Sequence, residues 1–389
     1  MHQPSLFKSF FLGGFECSTH RRRDGRRLDL IAGTRHDQYA SNDYAALAHH
    51  AIHSVRDGMR WHLIETAKGR YDWSSVLPMI RAAKAQRTEV IWDLCHYGWP
   101  DDIDIFKAEF VERFAAYAAA ATRLLRNEGI EAPLITPLNE ISFWAWAGGS
   151  VAHFNPTVRR RGDELKRQLV RAAIAAMEAI REILPKARFI QVDPIIHVVS
   201  RSTRRRDRER AERLKFEQYT AWDMLCGAQH PELGGKPAYL DIMGVNYYPH
   251  NQWYANRQDI PMDSPDYRPF HKLLADAFQR YGKPLLIAET GAESERRVPW
   301  VRYVCEQVDI ALRQNIPVEG ICLYPITDYP GWENNRHCRT GLLGYADAQG
   351  QRPVFSPLAD ELTLQRRRFE RKPTLEALNA QQAGLQLPV

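Results

Sequence analysis

The six cysteines, at 17, 95, 226, 305, 322 and 338, include no Cys-x-x-Cys pair. That spacing suits neither a zinc site nor a disulfide framework, so free thiols in a reducing compartment are expected. No run approaches the ~20 apolar residues of a membrane span, which argues against a membrane partner. Phe7, Phe10 and Phe11 form a brief aromatic run without a basic region before it. Glu16 stands where a lipoprotein cleavage site ahead of Cys17 needs a small residue. A cytoplasmic protein is expected. A Gly-rich phosphate loop, a metal-ligand cluster and a nucleophile elbow are missing too, so neither metal nor organic cofactor is expected.

What is present is an ordinary globular composition, 44% hydrophobic and 26% charged over 389 residues, which excludes a disordered chain. A net charge of +6 permits nucleic-acid binding, but no recognition motif accompanies it, and no nucleic-acid partner is expected. The surplus is clustered in Arg21 to Arg27 and in Arg201 to Arg213, the latter mixed with Asp207, Glu209 and Glu212. Mixed charge of this kind reads as an exposed, partly helical segment.

Strand-like and helix-like segments alternate throughout, the signature of a parallel sheet with crossover helices. The expected strands are Phe10 to Phe15, Ser54 to Ile64, Glu89 to Leu94, the run closing on Glu140, Arg188 to Asp193, Tyr239 to Asn246, the run closing on Glu289, and Val318 to Tyr324. Ser18 to Asp43 reads as a long polar loop, followed by a helix from about Tyr44 to His53. Further helices are expected over Trp73 to Gln86, Ile105 to Asn127, Asp163 to Leu184, Tyr267 to Tyr281, Arg297 to Gln314 and Ser356 to Arg371. The chain exceeds the ~250 residues typical of a (β/α)8 barrel, so extended βα loops are expected. Without an internal repeat or a linker, residues 1–389 read as one domain, with the barrel over about 10–371 and a tail over 372–389.

Two of these strands carry a chemical signal. Leu285-Leu286-Ile287-Ala288 runs directly into Glu289, and Leu134-Ile135-Thr136-Pro137-Leu138 runs into Asn139-Glu140. Apolar runs bounded by turn residues read as strands buried on both faces. A carboxylate at the end of such a strand is costly unless paired or used, and in a parallel α/β barrel that end is where catalytic residues sit.

Asn139-Glu140 and Glu289 at separate strand ends, with Asn246-Tyr247-Tyr248 at another, resemble the retaining (β/α)8-barrel glycosidases. The local text is most similar to glycoside hydrolase family 1, the β-glucosidases, from about Phe11 to Tyr345. The resemblance implies Glu140 as general acid/base and Glu289 as nucleophile of a double displacement on a β-glycoside. It implies Asn139 on the sugar 2-hydroxyl and His96, in Cys95-His96-Tyr97-Gly98-Trp99-Pro100, on the glycone. Trp332 and Glu333 fall where the family holds the distal hydroxyls, although the order is Trp-Glu and not Glu-Trp. Tyr324 stands where the family has a tryptophan platform. Arg60 and the Tyr247 hydroxyl are expected to keep Glu289 ionised, with Asn246 beside them. Glu16, His36 and Asp37 could line the first loop's side of the pocket, though structural roles are commoner for such residues. Trp144, Trp146 and Trp332 could stack on sugar or simply pack.

The implied partner is a carbohydrate, with an anionic glycan as one option if the arginine loops form a basic mouth. A transglycosidase on the same site and a catalytically silent sugar-binding barrel are the alternatives. The oligomeric state is left open.

Overall fold

A computed structural model describes residues 6–370. Eight strands close into an all-parallel barrel: β1 Phe11–Gly14, β2 Ser54–Gly58, β3 Glu89–Asp93, β4 Leu134–Thr136, β5 Arg188–Pro194, β6 Ile242–Asn246, β7 Leu285–Thr290 and β8 Val318–Leu323. Each strand pairs with the next in the chain, and β8 pairs with β1 to close the ring. Helices connect the strands on the outside, among them Ala108–Asn127, Gly162–Ile183, Phe270–Tyr281 and Arg297–Arg313. The expected tail over 372–389 lies outside the described residues. Among those described, no helix is long and apolar enough to cross a membrane.

The strands read as unbroken apolar runs because both faces are covered. In β7, Leu286 and Ala288 point into the barrel, where they meet Leu12, Ile91, Leu134, Ile190, Val192 and Ile242. Leu285 and Ile287 point outward into the larger core between barrel and helices. Burying a side chain of this size contributes about 1.5–3 kcal/mol, so a one-residue slip would expose neither set but would exchange them between two differently shaped spaces. The alternation breaks once, where it matters. A register shift between Ile287 and Glu289 against β6 sets Glu289 opposite Asn246. This bulge turns the carboxylate toward the same pocket that Asn246 faces.

Two boundaries depart furthest from the sequence reading. The second strand stops at Gly58, and the chain enters a short helix over Trp61–Ile64. A Cβ on residue 58 would lie 2.4 Å from Cys17 Cβ, so this close approach requires glycine. The expected polar loop to Asp43 is largely helical, over Leu30–Gly33 and His36–His49. Two of its polar groups, His36 and Asp43, are buried. His36 bridges Asp43 and Asp57 at 2.7 and 2.8 Å, and Arg352 engages Asp43 from the chain's other end. Tertiary ion pairing overrode local polarity there.

Candidate active site

Glu289 is 5% exposed. Its Oε1 accepts from Arg56 Nη1 at 2.6 Å and its Oε2 from Tyr248 Oη at 2.9 Å. Arg56 is fully buried and comes from β2. Its Nε and Nη2 hold Asp93, at the end of β3, at 2.9 and 2.6 Å, and Nη2 also donates to Asn139 Oδ1. The two carboxylates raise the guanidinium's affinity for its proton against the penalty of burial. A permanent cation shared in this fork geometry fixes the direction in which Glu289 faces.

Glu140 follows β4 with φ of 46°, in the left-handed region. A non-glycine residue held there costs on the order of 1 kcal/mol or more and marks a site where the surroundings dictate the backbone. Its N–H donates to Val192 O at 3.1 Å. Its carboxyl accepts from Asn246 Nδ2 at 2.8 Å and from Tyr97 Oη. Burial, and then the charge on Glu289, push the Glu140 carboxyl up to about 8, while the bonds from Tyr97 and Asn246 oppose the rise. Tyr97 is also left-handed, at φ 68°. Behind them, burial raises Asp193 to about 7 although both its oxygens accept from Ser142 N–H at 3.1 Å.

Asn139 links the two halves. Its amide nitrogen donates to Tyr97 Oη and to His96 Nε2, both at 2.9 Å. A proton on the other ring nitrogen then faces Asp93, 3.1 Å from His96 Nδ1. Cys17 Sγ lies 3.1 Å from the same nitrogen. Cys17, Asp93 and His96 could together offer a cation three donor atoms. The Arg56 guanidinium already occupies both Asp93 oxygens, so the set suits hydrogen bonding better than a second positive charge.

The structure gathers Glu140, Glu289, Asn139, His96 and Asn246 around one pocket. Tyr324 joins them through its ring, which lies under the Arg56 guanidinium at 5.5 Å and parallel to His96. Trp332 packs its ring against His20, with centroids 4.6 Å apart, and against Tyr97 and Phe154. Other expectations are corrected. Arg60 does not reach Glu289; it is tied to Asp29 and Asp37 at 3.0 and 2.9 Å. Tyr247 points out of the barrel, stacked on Phe270 at 3.9 Å and bonded to Tyr267 and Gln252. Glu333 stands on the rim with its side chain 73% exposed, beside His153. His36 and Asp37 serve the buried network and the Arg60 tie. Trp144 is buried packing, its Nε1 donating to Asn155 O, and Trp146 is about half exposed.

Sequence reasoning missed Arg56, Tyr97, Tyr248 and Asp93. For Tyr248 a signal existed: two residues beyond inward-facing Asn246, it shares that residue's face.

No family model matches the chain, and no curated protein matches it. Solved structures do. A β-glucosidase from Thermotoga maritima in complex with glucoimidazole superposes with a TM-score of 0.77 at 15% identity, covering 94% of this chain and 98% of that one. The family 1 β-glucosidase from the same organism gives 0.76 at 15% identity, covering 93% and 99%. The AHE enzyme from Alicyclobacillus herbarius gives 0.75 at 15% identity, covering 93% and 100%. In fold, then, the chain is a (β/α)8 barrel similar to family 1 β-glucosidases along almost its whole length.

Proposed function

We propose that the chain is a retaining β-glycosidase, with Glu289 as nucleophile and Glu140 as general acid/base. The observation that carries this reading is the unequal treatment of two carboxyl groups at one pocket. One is clamped by a buried arginine and a tyrosine; the other is held by burial and its neighbour's charge in a form that keeps its proton. Two carboxyl groups with opposed protonation are what glycoside cleavage requires.

In the first step Glu289 attacks the anomeric carbon as the bond to the leaving oxygen breaks. The proton of Glu140 passes to that oxygen. The aglycone leaves, and Glu140, now ionised, takes a proton from water as the water attacks the same carbon and frees Glu289. Asn139 has both amide hydrogens directed at pocket groups, and a sugar 2-hydroxyl would replace one of these acceptors. The sugar-like inhibitor in the Thermotoga maritima complex supports a carbohydrate ligand for this barrel.

Part of the positive charge of the arginine loops is already paired with neighbouring carboxylates. Arg21 and Arg27 both pair with Asp101, and Arg22 pairs with Asp24. Arg205 pairs with Glu209.

Incubation with activated 2-deoxy-2-fluoro β-glycosides of the gluco, galacto, manno and glucurono series, followed by peptide mapping, tests the reading. A stable adduct on Glu289 is expected with at least one neutral sugar. An adduct on another residue, or none with any sugar, overturns it.

A further inference from the structure

Three carboxyl groups face the pocket beside Asp93, and the proposed chemistry uses two. The third is Glu16, two residues beyond the end of β1. Its placement is fixed on both sides. Phe15 N–H donates to the Arg56 carbonyl at 2.9 Å, and Cys17 N–H reaches Tyr324 Oη at 3.4 Å. Glu16 is only 4% exposed. Its Oε1 accepts from the Ser18 N–H at 3.0 Å and from the Ser18 hydroxyl. Among the described residues none donates to Oε2, and no lysine or arginine pairs with the group. Burial raises its carboxyl, the His96 ring and Ser18 oppose this, and Glu289 is near enough to raise it further.

A buried carboxylate without a cation weakens a fold, so stability does not account for Glu16. A ligand bearing hydroxyl donors would, because O–H to carboxylate bonds are short and strong. Glu333, the carboxylate expected to hold distal hydroxyls, stands on the rim. Glu16 is inside. Asp93 and Glu289 against the one Arg56 cation already leave the pocket negative before Glu16 is counted. A uronate or phosphosugar would meet repulsion there.

Resting on the glycosidase reading above, we propose that Glu16 is a specificity-determining residue. Through Oε2 it accepts hydrogen bonds from glycone hydroxyls remote from the anomeric carbon, and it selects uncharged glycones over anionic ones.

The test compares wild type, Glu16→Ala and the volume-conserving Glu16→Gln on a neutral aryl β-glycoside, its 3-, 4- and 6-deoxy analogues and the matching uronide. Glu16→Ala should lower kcat/KM for the parent glycoside roughly 10- to 100-fold. The loss should shrink to a few-fold on the analogue lacking the contacted hydroxyl. Wild type should favour the neutral glycoside over the uronide, and Glu16→Gln should narrow that ratio. Equal losses on the parent and on every deoxy analogue overturn the assignment, as does a wild type that prefers the uronide. A preference for an amino sugar over the parent also overturns it, in favour of an ion pair. Fluoroglycoside labelling separates the two readings. If Glu289 is labelled while the deoxy profile is flat, the Glu16 assignment alone is lost. If wild type is labelled nowhere, the glycosidase reading goes as well.

Discussion

Arg56 Nη1 lies 2.6 Å from Glu289 Oε1 while the same guanidinium grips both oxygens of Asp93. A lysine could supply the charge but not the fork: one ammonium cannot reach three acceptors set around a plane. Arg56→Lys should therefore fold, while the rate of Glu289 labelling and kcat/KM fall about 10²–10³-fold. Arg56→Met should instead lose about 3–5 kcal/mol of stability, because Asp93 is left buried and uncompensated. Labelling kinetics and denaturant unfolding measure the two effects, and a lysine variant within fivefold of wild type would discredit the clamp.

Tyr97 Oη donates to Glu140 and accepts from Asn139. Its bond favours the ionised form of Glu140, holding the carboxyl below where burial and Glu289 would take it. Tyr97→Phe removes that restraint, so the Glu140 pKa should rise further. The alkaline limb of kcat/KM, which requires the protonated acid, should move to higher pH. The second step needs the ionised base and should slow at neutral pH, so kcat should fall more than kcat/KM. An alkaline limb that stays in place or moves down would show that the phenol does not tune Glu140.

How much of this was legible in the sequence depends on how far a strand runs. Glu140 and Glu289 stood out because an apolar run ending in a carboxylate needs a reason. Arg56 and Arg60 have the same parity, so along an unbroken strand both would face the pocket. The strand ends at Gly58, Arg60 swings away to Asp29 and Asp37, and only Arg56 remains inside. Tyr247 and Tyr248 differ by one residue and so face opposite sides. The resemblance covered both equally, and strand parity separates them. The part of helix His36–His49 before Tyr44 was not legible, because its stabilising partners, Asp57 and Arg352, lie far off in the chain.

Arg60 provides the converse test. Its guanidinium joins Asp29, Asp37 and the Ser75 carbonyl, tying the loop after β1 to the chain after β2. Arg60→Ala should lower unfolding free energy by about 2–4 kcal/mol and leave kcat within a few-fold at a temperature where the variant is folded. If kcat drops a hundredfold while stability is unchanged, Arg60 belongs to the chemistry after all.

His36 sets a pH limit on stability. Its ring lies buried between Asp43 and Asp57, stacked on Phe15 at 3.6 Å. Tyr44 also donates to Asp57, and Arg352 faces Asp43. Burial alone would lower the imidazole's pKa, but Asp57 and Asp43 outweigh it and raise the value from 6.5 to about 9. For a group raised on folding, the stabilisation is complete below the unfolded value and is lost as pH rises through the folded one. Charged His36 should thus contribute about 3 kcal/mol below pH 6.5, declining until about pH 9. The unfolding free energies of wild type and His36→Gln, measured in denaturant from pH 5.5 to 9.5, should differ most at the acid end and converge toward the alkaline end. A difference that is constant across that range would mean that folding leaves the ring's pKa unshifted, and one that shrinks toward the acid end would mean that the ring is neutral in the folded protein.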